Sequence, residues 1–134
     1  MRKNVFGRKF KRDINERKAL FKSLISSLIL DGKIKTTLEK GKAIKGDIDK
    51  IVNKAKKEKS EANYLLQPIL SVDAVRKLIK DIIPRVSDRD SGYTKLTHLG
   101  RRFYDNAPMV LIEWAGNKNQ ILNIKNQNFC IFDF

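Results

Sequence analysis

Residues 92–115, GYTKLTHLGRRFYDNAPMVLIEWA, contain two stretches that favour extended backbone on either side of a turn-rich connector. The stretches are Tyr93–Leu99 and Pro108–Ala115, and the connector between them, GRRFYDNA, contains the turn-forming residues Gly100, Asp105 and Asn106. This arrangement predicts an antiparallel hairpin. Alternate large apolar residues of the second stretch fall on one face, which we expect to point inward: Val110, Ile112 and Trp114.

Upstream of the hairpin, apolar residues recur at three- and four-residue spacing, which predicts amphipathic helices. The first helix starts at an Asp-x-x-Glu pattern, Asp13 to Glu16, that resembles a capping box, and it ends at Gly32. Residues 33–35 read as a short extended link. The hairpin therefore follows a helical part of the chain.

A second helix is predicted to begin with Thr36 as N-cap and Glu39 as its capping-box partner. It contains Gly41 and Gly46, each of which costs about 1 kcal/mol relative to Ala inside a helix. This helix must therefore gain stability from tertiary contacts or from a closely approaching partner. After a weaker helical turn over 60–70, a third helix spans 72–83, with Ser71 as its cap and Pro84 as its end.

The charge of the chain is strongly positive and unevenly distributed. Its 29 Lys and Arg residues against 15 Asp and Glu give a net charge of +14. Residues 1–60 hold 19 basic and 7 acidic residues, net +12, whereas residues 61–134 hold 10 and 8, net +2. An excess confined to one half predicts a binding face for an anionic partner, of which nucleic acid is the commonest.

Residues 1–12, MRKNVFGRKFKR, form a basic N-terminal arm with six basic residues and no acidic one. We expect this arm to be disordered in the free protein and to become ordered in phosphate-lined grooves. Basic side chains on the polar side of the first helix adjoin the arm, so arm and helix start are predicted to form one surface: Arg17, Lys18 and Lys22.

The hairpin connector places two arginines beside two aromatic residues: Arg101, Arg102, Phe103 and Tyr104. Basic and aromatic side chains on one loop suit contacts to phosphates and to unstacked bases. The same combination also occurs in proteins that bind no nucleic acid.

Several classes of protein are excluded by what the sequence lacks. One cysteine, Cys130, and one histidine, His98, predict neither an internal disulfide nor a zinc site. No phosphate-cradling glycine motif or nucleophile elbow occurs, so we expect no enzyme activity and no cofactor. The apolar runs are too short to span a bilayer and there is no signal-peptide core, which predicts a cytoplasmic protein.

Seven motifs occur along the chain in a characteristic order: GRKF (7–10), RKAL (17–20), Ile34-x-Thr36-Thr37, Lys40-x-Lys42, GYTKL (92–96), LGRR (99–102) and APMVLIEW (107–114). Their order resembles the seventeenth protein of the bacterial large ribosomal subunit, over residues 1–115. The chain departs from that family pattern at four positions, where His, Ala, Thr and Gly are more usual: Glu16, Gly41, Asn53 and Tyr104.

The resemblance implies an α+β fold, with three main helices packed on a small antiparallel sheet or hairpin and an extended basic N-terminal arm. It implies an arm over 1–12, a globular rRNA-binding domain over 13–115 and a variable C-terminal tail over 116–134. The tail is rich in Asn and Gln yet ends in apolar residues, so we expect it to dock on this domain or on a neighbouring protein.

The implied function is structural: a constituent of the large ribosomal subunit that binds folded 23S-type rRNA beside neighbouring large-subunit proteins. No membrane and no small-molecule substrate are expected, and the ribosome is either cytoplasmic or organellar. Matching motif positions and the basic residues among them give the predicted RNA contacts: Arg2, Lys3, Arg8, Lys9, Lys11, Arg12, Arg17, Lys18, Lys22, Lys35, Thr36, Thr37, Lys40, Lys42, Tyr93, Thr94, Arg101 and Arg102.

Two other functions fit basic amphipathic helices. One is a free DNA-binding or nucleoid-associated regulator, although no helix-turn-helix is evident. The other is a protein that lies on anionic lipid, although so small a domain needs its apolar stripes for a core. Sedimentation of a cell lysate separates the three, since the protein would travel with large subunits, with the nucleoid or with membrane.

Overall fold

The computed structural model describes residues 7–58 and 61–115, so Arg2, Lys3 and the tail 116–134 lie outside the described residues. In chain order the elements are α1 (Ile14–Asp31), β1 (Lys33–Thr37), α2 (Leu38–Lys57), α3 (Ala62–Leu66), α4 (Val72–Lys77), a π-helical segment (Leu78–Ile82), α5 (Ile83–Arg85), β2 (Thr94–Arg101) and β3 (Pro108–Trp114). Helices and one antiparallel sheet confirm the α+β prediction.

The three strands form one antiparallel sheet in the order β1-β3-β2. The predicted hairpin is confirmed as β2 and β3, with a register irregularity between His98 and Gly100. Residues 33–35, predicted as a link, instead belong to strand β1, which pairs with β3 along its whole length. A strand this short carries little periodic signal, and its partner lies far along the chain, so the pairing was not visible in the sequence.

The predicted start and end of α1 are confirmed. Asp13 is the N-cap, and Gly32 ends the helix in the left-handed conformation at φ 78°. The Asp13 side chain, however, makes no cap hydrogen bond, so the predicted capping box does not form. The N-cap of α2 is Thr37 rather than Thr36, because β1 continues through Thr37, which pairs with Met109, and the helix begins at Leu38.

Helix α2 crosses the inner face of the sheet at Gly41. A Cβ atom built on this glycine would lie 2.9 Å from Val110 Cγ2 and 3.2 Å from Leu96 Cδ2, so a glycine permits the close approach. The predicted dependence of α2 on tertiary contacts is therefore confirmed at Gly41. At Gly46 a Cβ would meet nothing within 4 Å.

The third helical region begins after Ser71 as predicted, but it does not end at Pro84. Helical backbone continues through the π-helical segment into α5 and ends after Arg85. Pro84 has no N–H and its ring crowds the preceding turn, and the wider π-helical turn accommodates both defects.

The core lies between the helices and the inner face of the sheet, with contributions from each layer. Its largest fully buried side chains include Ile25, Leu28, Ile44, Leu78, Tyr93 and Ile112. Trp114 closes one side of this core, and its indole N–H donates a hydrogen bond to the carbonyl of Leu28 at 3.2 Å. The inward face predicted for β3 is thus confirmed.

Candidate nucleic-acid interface

The sheet register brings two distant parts of the sequence to one end of the sheet. Thr37, Met109 and Gly100 form a row across the three strands. Adjacent strands lie about 4.8 Å apart, so this row spans only about 10 Å. Helix α2 starts directly after Thr37, and the hairpin loop 102–107 joins β2 to β3 at the same end. The first turn of α2 and the hairpin loop are therefore neighbours.

The described part of the arm, residues 7–12, folds back over α1 and α2, which differs from the disorder that the sequence predicted for the arm in the free protein. The Arg8 guanidinium forms an ion pair with the Glu39 carboxylate in the first turn of α2. Phe10 packs edge-to-face on Phe21 of α1, with the ring centroids 6.3 Å apart. The arm therefore reaches the same end of the sheet as the hairpin loop.

Exposed cations gather at this end and along the arm. Lys42 and Arg101 are exposed, and Lys40 is half-buried. We call Arg8, Thr37, Lys40, Lys42 and Arg101 the sheet-end surface. The rest of the described arm is exposed next to it: Lys9, Lys11 and Arg12.

The basic residues of α1 lie beside a groove rather than at the sheet end. An open groove of about 410 Å³ runs between α1, α2 and the turn at Pro68. Lys18, Lys22 and Lys50 line it together with the apolar Phe21 and Ile25. Arg17 is half-buried near the start of α1. Phe10 on Phe21 joins this side of α1 to the arm, as the sequence predicted for arm and helix start.

Four of the predicted contact residues have a different place in the structure. Thr36 and Thr94 are buried in the sheet, and Tyr93 is fully buried. The Tyr93 hydroxyl donates to Asn53 Oδ1 at 2.5 Å. Thr36 and Thr94 pair with the inward-facing Val110 and Trp114, and Tyr93, just before β2, is buried with its hydroxyl bonded inside the protein. None of the three side chains is therefore available to a partner. The fourth, Arg102, is held within the hairpin loop.

The hairpin loop is fixed by a clamp between Arg102 and Asp105. The guanidinium donates from Nε to Asp105 Oδ1 at 2.9 Å and from Nη2 to Oδ2 at 2.5 Å. The backbone N–H of Ala107 donates to the same carboxylate at 3.2 Å. The Arg102 hydrogen bond, followed by that of Ala107, lowers the pKa of Asp105 to about 2. The carboxylate is therefore ionised throughout the physiological pH range.

Two lysines, Lys56 and Lys77, donate hydrogen bonds that join parts of the fold. Lys56 Nζ donates to the carbonyls of Val86 at 2.7 Å and Arg89 at 2.5 Å, and lies 4.6 Å from the centre of the Tyr93 ring. Lys77 Nζ donates to the carbonyl of Leu30 near the end of α1 at 2.6 Å. No spacing in the sequence distinguishes these lysines from their exposed neighbours.

The described part of the chain holds neither a metal-ligand cluster nor a membrane span. Over residues 7–58 and 61–115, no three His, Cys, Asp or Glu side chains group as a metal site. None of the helices in these two ranges is long and apolar enough to cross a membrane.

The fold and the sheet-end surface define a basic α+β protein with a group of cations at one end of a small sheet, as suits a polyanionic partner. The model of the family described as ribosomal protein L17 matches residues 20–115. The chain belongs to this family, which confirms the resemblance seen in its motifs.

Relatives from several bacteria are similar over most of their length. "Large ribosomal subunit protein bL17" of Persephonella marina is 41% identical over 118 residues, covering 86% of this chain and 95% of the relative. The proteins of the same name from Thermodesulfovibrio yellowstonii and Thermus thermophilus are each 39% identical, covering 86% and 84% of this chain and 87% and 98% of the relatives. The chain thus corresponds to nearly the whole of these proteins.

Proposed function

We propose that this chain is a structural constituent of the large ribosomal subunit, which binds and stabilises folded 23S-type rRNA and catalyses no reaction. The observation that carries the proposal is the convergence of the arm, the first turn of α2 and the hairpin loop at one end of the sheet. Membership of the ribosomal protein L17 family supports the same function. Neighbouring large-subunit proteins are the expected further partners.

The sheet-end surface suits phosphate for two reasons. Its cations attract the RNA backbone and release the counterions condensed on it, which drives binding. In addition, Thr37 makes no side-chain cap hydrogen bond to α2. The first-turn N–H groups of a 20-residue helix therefore point toward the same end, where they favour an anion.

Both the arm and the sheet-end surface supply cations for binding RNA. Arg8 already pairs with Glu39 at the start of α2, so it can bind a phosphate only by exchanging the carboxylate for it. The exposed cations that follow act as mobile charges. The proposed contact set comprises Arg8, Lys9, Lys11 and Arg12 on the arm, Arg17, Lys18 and Lys22 on α1, and Lys35, Thr37, Lys40, Lys42 and Arg101, with Arg2 and Lys3 upstream.

The salt dependence of RNA binding tests this surface. We expect the Lys9→Ala, Lys11→Ala, Arg12→Ala triple variant to flatten the plot of log affinity against log salt. The slope should fall by about 0.7–0.9 for each phosphate that the variant no longer neutralises, because each neutralised phosphate releases condensed counterions. Affinity would be measured on a large-subunit rRNA fragment. Arg8 is left unchanged because removing it would also release Glu39.

The matched control removes three exposed cations from the other half of the chain: Arg76, Lys80 and Arg85. These residues lie on α4, the π-helical segment and α5, away from the sheet-end surface, and the control should keep the wild-type slope. If the slope fell equally in both triple variants, charge would act diffusely and the proposed surface would be wrong. Circular dichroism would verify that both variants are folded.

Sedimentation of a cell lysate distinguishes the alternative, a free DNA-binding or nucleoid-associated regulator. The proposed function requires the protein to travel with large ribosomal subunits and to leave them at high salt. Recovery with the nucleoid, and release by DNase rather than by RNase, would establish the alternative instead.

A further inference from the structure

We propose that the hairpin loop 102–107 is a preformed platform on which unpaired rRNA bases stack. Phe103 and Tyr104 supply the rings, and Asp105 acts through Arg102 as a positioning residue. This inference rests on the proposed function and names the kind of RNA element that this end of the sheet recognises: a single-stranded loop or bulge rather than a duplex.

The loop has its own network of hydrogen bonds, formed without any partner. Besides the clamp between Arg102 and Asp105, the Arg102 N–H donates to the Ala107 carbonyl and the Asn106 N–H donates to the Arg102 carbonyl, both at 2.9 Å. Asn106 adopts the left-handed conformation at φ 55°, which Asn tolerates better than most residues. A loop already fixed in one conformation loses little entropy on binding.

Both rings point away from the protein. Phe103 and Tyr104 have relative exposures of 105% and 96%, whereas Phe10 packs on Phe21 and Tyr93 is buried. A fully exposed ring retains all of its apolar surface for a partner. The hydrogen bonds between Arg102 and Asp105 fix a short loop that buries neither ring. A loop that is ordered without adding to the core is expected to serve binding rather than folding.

The charges around the loop favour RNA over a protein partner. Asp105, the only carboxylate in the loop, is neutralised by Arg102. Arg101 is exposed next to it, and Lys40 and Lys42 start α2 at the same end of the sheet. Phosphates would meet these cations while bases cover the rings. Bases in a duplex are already stacked on each other, so the rings require unpaired ones.

Binding to two single strands of equal charge tests the platform. The probes are an oligouridylate of about ten nucleotides and an abasic strand with the same number of phosphates. We expect the full-length protein to bind the oligouridylate more tightly. The Phe103→Ala, Tyr104→Ala variant should lose about fivefold or more on the oligouridylate and nothing on the abasic strand. Equal affinity of the wild-type protein for both strands would overturn the platform.

Three further variants separate stacking from other effects. Tyr64→Ala removes another exposed aromatic ring, 78% exposed on α3, and should change neither affinity. Phe103→Trp with Tyr104→Phe keeps two rings and should keep the preference for bases. Asp105→Asn leaves the rings but loosens the clamp, so it should reduce that preference. An undiminished preference in Asp105→Asn would show that this residue does not position the rings.

Failure of the platform and failure of the proposed function give different results. Without stacking, the wild-type protein would bind both strands equally but with the expected salt dependence. Without RNA binding, neither strand would show that dependence. In purified large subunits, a photo-crosslinking residue at position 103 should react with unpaired rRNA nucleotides. Reaction only with a neighbouring protein would assign the rings to a protein contact and overturn the inference.

Discussion

Each end of helix α2 carries a lysine, Lys42 or Lys56, and the two lysines have different surroundings. At the N-terminal end, Gly41 sits against Val110, while Lys42 remains exposed at the sheet-end surface. At the C-terminal end, Lys56 turns inward and donates to the carbonyls that follow α5. The N-terminal end holds the helix by close packing and leaves the charge of Lys42 exposed to solvent. The other uses its charge to hold the protein together.

The difference shows that a basic helix is not equivalent to a basic surface. An ammonium group removed from water needs acceptors to compensate for the hydration that it gives up. Lys56 has them in the backbone of residues 86–89, whereas the Lys42 side chain is exposed to solvent. Substitution of Lys56 should therefore lower stability, whereas substitution of Lys42 should lower RNA affinity.

Gly41→Leu should have the largest effect on stability. The new side chain must occupy space already filled by Val110, Leu96 and Ile112, so we expect a loss of about 3 kcal/mol in the free energy of unfolding. Urea denaturation would measure it. Gly46→Leu on the same helix meets open space and should be neutral or stabilising by up to about 1 kcal/mol. Equal losses at both positions would mean that helix propensity, not close packing, governs α2.

Lys56→Met should have the second-largest effect on the free energy of unfolding. It keeps the apolar stem but removes the charged donor to Val86 and Arg89, and we expect a loss of about 2 kcal/mol. Lys57→Met, the exposed neighbour, should change stability by less than about 0.5 kcal/mol. An unchanged denaturation midpoint for Lys56→Met would show that its hydrogen bonds contribute nothing net.

Lys42→Ala should leave stability unchanged and alter RNA binding instead. Because one phosphate is no longer neutralised, the salt slope should fall by about 0.7–0.9. Lys54→Ala, an exposed position near the other end of α2, should leave the slope as it is. A reduced slope for Lys54→Ala but not for Lys42→Ala would move the interface to the C-terminal end of the helix.

The smallest effect concerns the pH dependence of the hairpin loop beside the N-terminal end of α2. The hydrogen bonds of Arg102, the larger cause, and of the Ala107 N–H lower the folded-state pKa of Asp105 from 3.8 to about 2. A lowered carboxylate pKa stabilises the folded loop above pH 3.8, and this contribution is lost as the pH falls toward 2. Carboxyl carbon shifts in an NMR titration should show it. In Arg102→Gln the pKa should return toward 3.8, and no change there would exclude Arg102 as the cause.

Local patterns predicted much of the secondary structure. The apolar spacing of α1 and the glycine after it marked both ends of that helix, because a left-handed residue at that point strongly favours Gly. The alternation in β3 identified its inward face for a similar reason, since the side-chain period of a strand is fixed. The family motifs indicated rRNA as the ligand, which the pattern of no single helix or strand could indicate.

Long-range contacts escaped prediction. Strand β1 looked like a link because its partner, β3, is distant in sequence. Tyr93 and Thr94 lie in a family motif and were predicted to contact RNA, yet both side chains are buried in the core. Lys56 and Lys77 differ from their neighbours only in which carbonyls lie within reach.

The sequence by itself determined that this is a basic α+β protein, because charge, helix period and strand alternation are properties of short stretches of chain. Only the tertiary structure decided which cations are exposed together and which are held by acceptors of the protein. Sheet register placed the arm, the start of α2 and the hairpin loop together, and Asp105 took Arg102 out of the set of free charges. A charge attracts RNA or holds a fold according to its distance from acceptors, and those distances exist only after the chain has folded.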